Sequence, residues 1–183
     1  MRLQAIDLET ATDEQKALLI DIQKSRNGDL SGPFGCWAVS PRFADKAQAL
    51  GQFCRYETGL ALKDSELAII TVAAYWQSQA EWQIHAPIAI EAGICPRAVE
   101  KIRLGIVPNF QKPIEKYIHQ ASKELLETKR LSDTTYHALT ELLSTEVLVN
   151  FIGLIGYYSM VALTLNSFEV LKPNQERPFP ESI

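Results

Sequence analysis

The sequence predicts an all-α protein. Residues that start and stop helices recur along its 183 residues, whereas alternating β-branched runs of strand length are nearly absent. With 46% hydrophobic and 22% charged residues, the chain can bury one sizeable core, which excludes disordered, collagen-like and low-complexity proteins. No linker or internal repeat divides it, so residues 1–183 are interpreted as one domain.

Capping residues predict where the helices begin and end. Thr12 and Gln15 have the spacing of a capping box, which opens the first helix. Asp64 and Ser65 are expected to cap the third helix, and proline and glycine mark other starts and stops. From these signals we expect helices over residues 13–26, 41–58, 64–76, 79–92, 96–104, 112–128, 132–143 and 147–165.

Prolines predict two departures from regular helix. Pro87 falls inside the helix over 79–92, where it removes the hydrogen bond to the carbonyl of Gln83, so we expect a kink beside His85. Three further prolines make residues 173–183 an extended tail.

Charge and cysteine content limit the class of protein. The net charge is −4, so no basic surface is available for binding nucleic acid. Cys36, Cys54 and Cys95 are an odd number at wide spacing, which fits neither a disulfide framework nor a zinc motif. Residues 1–15 contain acidic side chains and no apolar segment, so no secretory signal is predicted and a cytoplasmic location is expected.

The segment Val147–Leu165 is nineteen residues long and carries no charge, which is enough to cross a bilayer. Its flanks are Glu146 and Glu169 rather than Lys or Arg, and its polar residues are scattered through the middle, which disfavours a membrane span. We interpret it as a helix buried in a core or in a subunit interface. Since one small protomer has few helices to cover it on every side, it favours a homo-oligomer.

The densest group of reactive side chains lies between Glu66 and His85. Glu81 and His85 are four positions apart, so they share a helix face with Ser78 and can meet as an acid–base pair. A glutamate beside a histidine holds the imidazole in one tautomer, as proton transfer requires. Glu66 lies about 22 Å from Glu81 along a straight helix. It joins the pair only if the chain folds back near Gln77 or a second subunit supplies it.

Each of these residues also has a purely structural explanation. Ser78 and Glu81 fit a second capping box, and His85 can be an ordinary core histidine beside a kink. Glu66 can be a charge that interacts favourably with a helix N-terminus.

Other aromatic and imidazole side chains are assigned less chemistry. Trp37, Trp76 and Trp82 can line a pocket for a flat substrate or simply fill the core. His119 and His137 are expected on the surface of amphipathic helices, and no metal site is expected.

The stretch ELAIITVAAYWQSQAEWQIHAPIAIEAGI, within residues 64–105, resembles the core of the carboxymuconolactone decarboxylase family, which shares its fold with alkylhydroperoxidase D. The segments GPFGCWAVSP, LGQFCRYETGL and GLIGYYSMVALTLNSFEV are similar to a long branch of that family, so the resemblance covers most of the chain. It implies an all-α bundle of the alkylhydroperoxidase D type, assembled as a trimer or hexamer, that works without a cofactor.

The resemblance also bears on the chemistry. Alkylhydroperoxidase D proteins carry a Glu, then a CxxC motif, then a His; counting from Glu66, the cysteine positions hold Ser78 and Glu81. Both thiols of peroxidase chemistry are therefore missing from the motif. Decarboxylase members carry a Glu four residues before the His, as this chain does at His85. The resemblance thus implies an acid–base enzyme, a decarboxylase or related lyase acting on a small carboxylate or lactone.

By the same resemblance, His85 is the proton donor and Glu81 its orienter or relay. Glu66 is either a further proton relay or a helix-start charge. Two other functions stay open at this point. One is an antioxidant peroxidase that uses an atypical cysteine such as Cys36 or Cys54, and the other is a non-catalytic oligomer that binds a ligand or partner.

Overall fold

A computed structural model describes residues 2–26, 28–171 and 176–180, and these ranges are helical with no β-strand. The predicted all-α class is confirmed, and the predicted boundaries agree with the observed ones to within about two residues. The short second helix was not predicted, since its residues were assigned to a loop. The helices are α1 (Asp13–Ser25), α2 (Phe34–Trp37), α3 (Pro41–Tyr56), α4 (Leu62–Tyr75), α5 (Gln79–Glu91), α6 (Pro96–Arg103), α7 (Pro113–Glu127), α8 (Asp133–Leu142) and α9 (Thr145–Ser167).

Helix α4 lies at the centre of the fold. All nine of its residues from Ser65 to Ala73 are buried, because a helix that is apolar on nearly every side needs cover from all directions. Helices α5, α6, α7 and α9 supply that cover. Since α9 also packs on α3, and α3 on α1, the helices surround one hydrophobic core.

A tight reversal joins α4 to α5. Gln77 has a φ of 49°, in the left-handed region. This conformation lets the Ser78 N–H donate to the Ala73 carbonyl at 2.9 Å, and the Gln77 N–H donates to the Ala74 carbonyl at 3.2 Å. The two bonds form a Schellman motif, which satisfies the last carbonyls of α4. The predicted break near Gln77 is confirmed, and α5 folds back against α4.

The predicted caps have different outcomes. The capping box of Thr12 and Gln15 is present, with the side chain of each residue accepting from the backbone N–H of the other. The predicted cap at Asp64 and Ser65 is wrong, since α4 already begins at Leu62. The Ser65 hydroxyl donates to the Leu62 carbonyl at 3.0 Å, so it bonds the backbone of its own helix instead of capping it.

Helix α9 is covered on one side only. In its most apolar window 44% of the residues are buried, while Val149, Ile152 and Leu163 remain exposed. Its length and composition would suit a membrane span, but a core helix of a soluble protein has the same properties. This helix was expected to be buried on every side. Within this chain only its inner face is buried.

The C-terminal segment 176–180 is docked on α5. Phe179 is buried and packs edge-on against Trp82, with the ring centroids 5.4 Å apart. The Gln79 side-chain amide accepts from the Phe179 N–H at 3.1 Å and donates to its carbonyl at 2.8 Å. The remaining residues of the predicted 173–183 tail lie outside the described residues.

His119 is buried, so its predicted surface position is wrong. It lies on the inner stripe of α7 one position after Ile118, and its ring packs against Phe110 with the centroids 5.4 Å apart. Burial, together with the nearby charge of Lys123, lowers the pKa of His119 to about 4, because both disfavour the imidazolium. His137 is exposed, as predicted.

The buried His119 predicts a loss of stability in acid. The unfolded chain takes up a proton here near pH 6.5 and the folded protein only near pH 4, so the free energy of unfolding falls as the pH drops through this window. The wild type should lose on the order of 2 to 3 kcal/mol of unfolding free energy at His119 across this window, and His119→Gln should not. His137→Gln, the matched control, should lose as much as the wild type. Urea unfolding at several pH values measures this, and identical pH profiles for the wild type and His119→Gln would contradict it.

Candidate active site

Glu66 of α4 and His85 of α5 form a buried pair. The Nδ1 atom of His85 lies 2.8 Å from Oε2 of Glu66, and their side chains are 6% and 1% exposed. Since a carboxylate only accepts, the contact assigns a proton to Nδ1 and leaves Nε2 as the nitrogen not engaged by Glu66. The reversal at Gln77 brings the two residues together within one protomer, so no second subunit is needed for this contact.

Glu81 lies one turn before His85 on α5 but does not bond to it. Among the described residues, neither of its buried carboxyl oxygens has a hydrogen-bond partner. Burial raises the pKa of Glu81 well above its usual value, and the nearby Ser78 hydroxyl offsets this only in part. Burial therefore favours the protonated form of Glu81, which can donate a proton. Glu81 was expected to orient His85 or to relay its proton; Glu66 makes the orienting contact instead, and the relay role stays a prediction.

The structural explanation of Glu81 as half of a capping box also fails. Ser78 is the N-cap residue of α5, but its side chain makes no capping hydrogen bond. Its backbone N–H, which a capping box would direct to Glu81, instead donates to the Ala73 carbonyl. The tight turn after α4 has taken the donor that the box requires.

Helix α5 continues through Pro87 and ends at Glu91.

Two tyrosines of α9 cover the acid–base group. The rings of His85 and Tyr158 meet edge to face with their centroids 5.2 Å apart, and Tyr158 meets Tyr157 in the same way at 5.3 Å. Burial raises the pKa of both phenols, so both keep their hydroxyl protons at neutral pH. Sequence analysis missed this pair, although two adjacent hydroxyls inside an uncharged helix are a usable signal.

These side chains line a cavity of about 150 Å³. Pockets for drug-sized ligands have volumes of roughly 300 to 1,000 Å³, so this cavity suits a ligand smaller than a typical drug. None of Trp37, Trp76 and Trp82 lines it; the Trp37 indole instead donates to the Thr164 hydroxyl at 3.1 Å. Among the residues that line this cavity are Glu81, His85, Tyr157 and Tyr158. Arg26, Phe34 and Arg55 line it as well.

The cysteines lie apart from this cavity. Cys36 and Cys54 are buried and Cys95 is exposed. Burial raises the pKa of Cys54 to about 11 and also raises that of Cys36, so both thiols stay protonated at neutral pH and are weak nucleophiles. Within the described ranges, no three or more His, Cys, Asp or Glu side chains are grouped so that they could hold a metal ion.

A scan of the chain against models of known protein families and a search of curated proteins both find no match.

The raised pKa of Glu81 predicts that the folded protein loses stability as the pH rises above about 4.5. Above about pH 4.5 the unfolded chain gives up this proton and the folded protein keeps it, so the free energy of unfolding falls as the pH rises until the folded carboxyl ionises. Glu81→Gln has a similar shape and cannot ionise, so it should be more stable than the wild type at neutral pH, and its advantage should grow as the pH rises from about 5. Urea unfolding between about pH 5 and pH 8 tests this, and a constant difference across that range would contradict it.

Gly51 predicts a second effect, because it lets α3 approach the site. A Cβ at this position would overlap the Tyr157 hydroxyl and lie 3.0 Å from Nη2 of Arg26, whereas a Cβ at Gly153 meets nothing within 4 Å. Ala favours a helix over Gly by about 1 kcal/mol. We expect Gly153→Ala to raise Tm and Gly51→Ala to destabilise the fold by about 1 to 3 kcal/mol. Thermal unfolding of both variants measures this, and equal shifts in Tm would refute it.

Proposed function

We propose that this protein is an enzyme of the carboxymuconolactone decarboxylase type, which uses acid–base chemistry without a cofactor on a small carboxylate or lactone. The observation that carries the proposal is the buried Glu66–His85 pair, together with the small cavity that His85 and the buried carboxyl of Glu81 line. A positioned imidazole and a carboxylic acid with a raised pKa are what general acid–base catalysis requires.

The reaction proposed first is loss of carbon dioxide. The bond to the departing carboxylate breaks, and its electron pair moves into the conjugated system of the substrate as an enolate. His85, as the imidazolium, delivers a proton from Nε2 to the carbon that receives it, and Glu66 stabilises that imidazolium through Nδ1. Glu81, still protonated, donates a hydrogen bond to the enolate oxygen where negative charge develops.

The architecture proposed is the alkylhydroperoxidase D bundle, assembled as a trimer or hexamer in the cytoplasm. The central α4–α5 pair supports the bundle, and the exposed apolar side chains on the outer face of α9 support the assembly. The small cavity supports a small-molecule substrate. The alternative of a cysteine peroxidase is not favoured, because the pKa values of Cys36 and Cys54 are raised and neither lines the cavity.

Turnover of carboxymuconolactone, followed by its absorbance, tests the proposal. We expect the wild type to consume the lactone and His85→Ala to reduce kcat by about 10²- to 10⁴-fold, which is the usual contribution of a positioned proton donor. Glu66→Gln should reduce kcat by a smaller factor, because the imidazole remains but loses the carboxylate that stabilises its charged form.

His137→Ala is the matched control, since it removes an exposed histidine and should leave turnover unchanged. Full activity in His85→Ala would refute the assigned role of His85. An absence of turnover in the wild type would exclude this lactone as the substrate. Hydroperoxide reduction would then be compared between the wild type and a variant that lacks all three cysteines, and lower activity in the variant would show that a thiol contributes.

A further inference from the structure

Arg26 is a half-buried cation that forms no ion pair with any described residue. It lies at the C-terminal end of α1, and its guanidinium stacks over the Phe34 ring at 4.5 Å. Its Nε and Nη2 atoms are buried, and neither has a hydrogen-bond partner in the described part of the chain. Leaving donors of a charged group buried and unpaired is costly, so a compensating anion is expected where they point.

The guanidinium lines the same cavity as Glu81 and His85. The Tyr157 hydroxyl lies beside it; burial is the main cause that raises the pKa of this phenol, and the neighbouring Arg26 lowers it. Tyr157 is thus close to the cation. Arg26, Glu81 and His85 all line this cavity of about 150 Å³, so one small ligand bound there would lie among all three.

The other charges of this cavity leave Arg26 available to an anion. Glu66 is engaged by His85, and neither carboxyl oxygen of Glu81 bonds to the guanidinium, so no carboxyl of this group is paired with Arg26. Asp29 is exposed at the rim and accepts hydrogen bonds from the backbone and hydroxyl of Ser31, at 2.7 and 2.8 Å. Arg55, a second cation, also lines the wall.

The shape of the unpaired edge indicates which anion fits. The N–H groups of Nε and Nη2 point in parallel from one side of the guanidinium, and this edge matches the two oxygens of a carboxylate. Phe34 covers one face of the guanidinium, so an anion that pairs with Arg26 meets it in the plane of its N–H groups. A planar carboxylate therefore suits the cavity better than a bulkier tetrahedral anion.

We propose that Arg26 binds a carboxylate group that the substrate keeps throughout the reaction. This inference rests on the proposed function of the same site, and it narrows the substrate to a small carboxylate anchored at Arg26 while His85 and Glu81 act on another part. The anchored carboxylate is not the one lost as carbon dioxide. An ion pair with arginine stabilises the substrate carboxylate more than it stabilises departing, uncharged carbon dioxide, so it would raise that barrier.

Binding of furoate and of its uncharged analogue furamide tests this, by calorimetry on the full-length protein. We expect furoate to bind the wild type at least tenfold more tightly than furamide. Arg26→Gln should weaken furoate binding by about 10- to 100-fold and leave furamide unaffected, since charge-assisted hydrogen bonds are lost only with furoate. Arg97→Gln, which changes an exposed arginine outside the cavity, is the matched control and should behave as the wild type.

Arg26→Lys is included because loss of the stacked cation can weaken the fold. Lysine keeps the positive charge without the forked pair of N–H groups, so its affinity for furoate should lie between those of the wild type and Arg26→Gln. If Arg26→Gln does not fold, the comparison of Arg26→Lys with the wild type decides the result. Furoate binding that is undetectable in the wild type, or equal in the wild type and a folded Arg26 variant, would overturn the proposal. So would a lowered kcat at unchanged KM for Arg26→Gln, since an anchor retained through the reaction acts on KM.

The binding experiment separates this inference from the proposed function. Furoate binding that depends on Arg26, with no turnover of the lactone by the wild type, would support the carboxylate site and count against the lyase. Lactone turnover that depends on His85 but not on Arg26 would support the lyase and overturn the anchor.

Discussion

The hydrogen bond between Glu66 and His85 is the contact on which the site depends. A carboxyl group in the middle of the most buried helix needs a partner, and the imidazole across the α4–α5 pair is that partner. The contact fixes the register of the two helices and the tautomer of His85 in one step. The left-handed conformation of Gln77 makes this contact possible, because the turn there folds α5 back against α4.

Around this satisfied pair the protein keeps polar groups that are not satisfied internally. Glu81 and Arg26 line one cavity, and neither neutralises the other. Had the carboxyl ionised and paired with the guanidinium, the site would hold neither a proton donor nor a free cation. Burial keeps the acid neutral, at a cost in stability that an ordinary core residue would not impose. Unsatisfied buried groups of this kind are typical of a site that meets its ligand.

An aromatic framework holds these groups in place. Tyr157 and Tyr158 connect His85 to Trp37 through successive edge-to-face contacts, and Trp37 in turn meets Phe34 beneath the Arg26 guanidinium. The N-terminal helices are thereby tied to the acid–base group on α5. This continuity explains how a loop far along the chain from His85 can form part of its cavity.

The sequence by itself determined the helices and the spacing of Glu81 and His85, because capping, proline and glycine effects act over a few residues. The pairing of Glu66 with His85 depended on how tightly the chain turns at Gln77, which spacing alone left open. Arg26 and the two tyrosines come from distant segments, so only tertiary packing could bring them to the cavity. The same holds for the neutral state of Glu81 and the burial of His119, since desolvation depends on every element that surrounds a side chain.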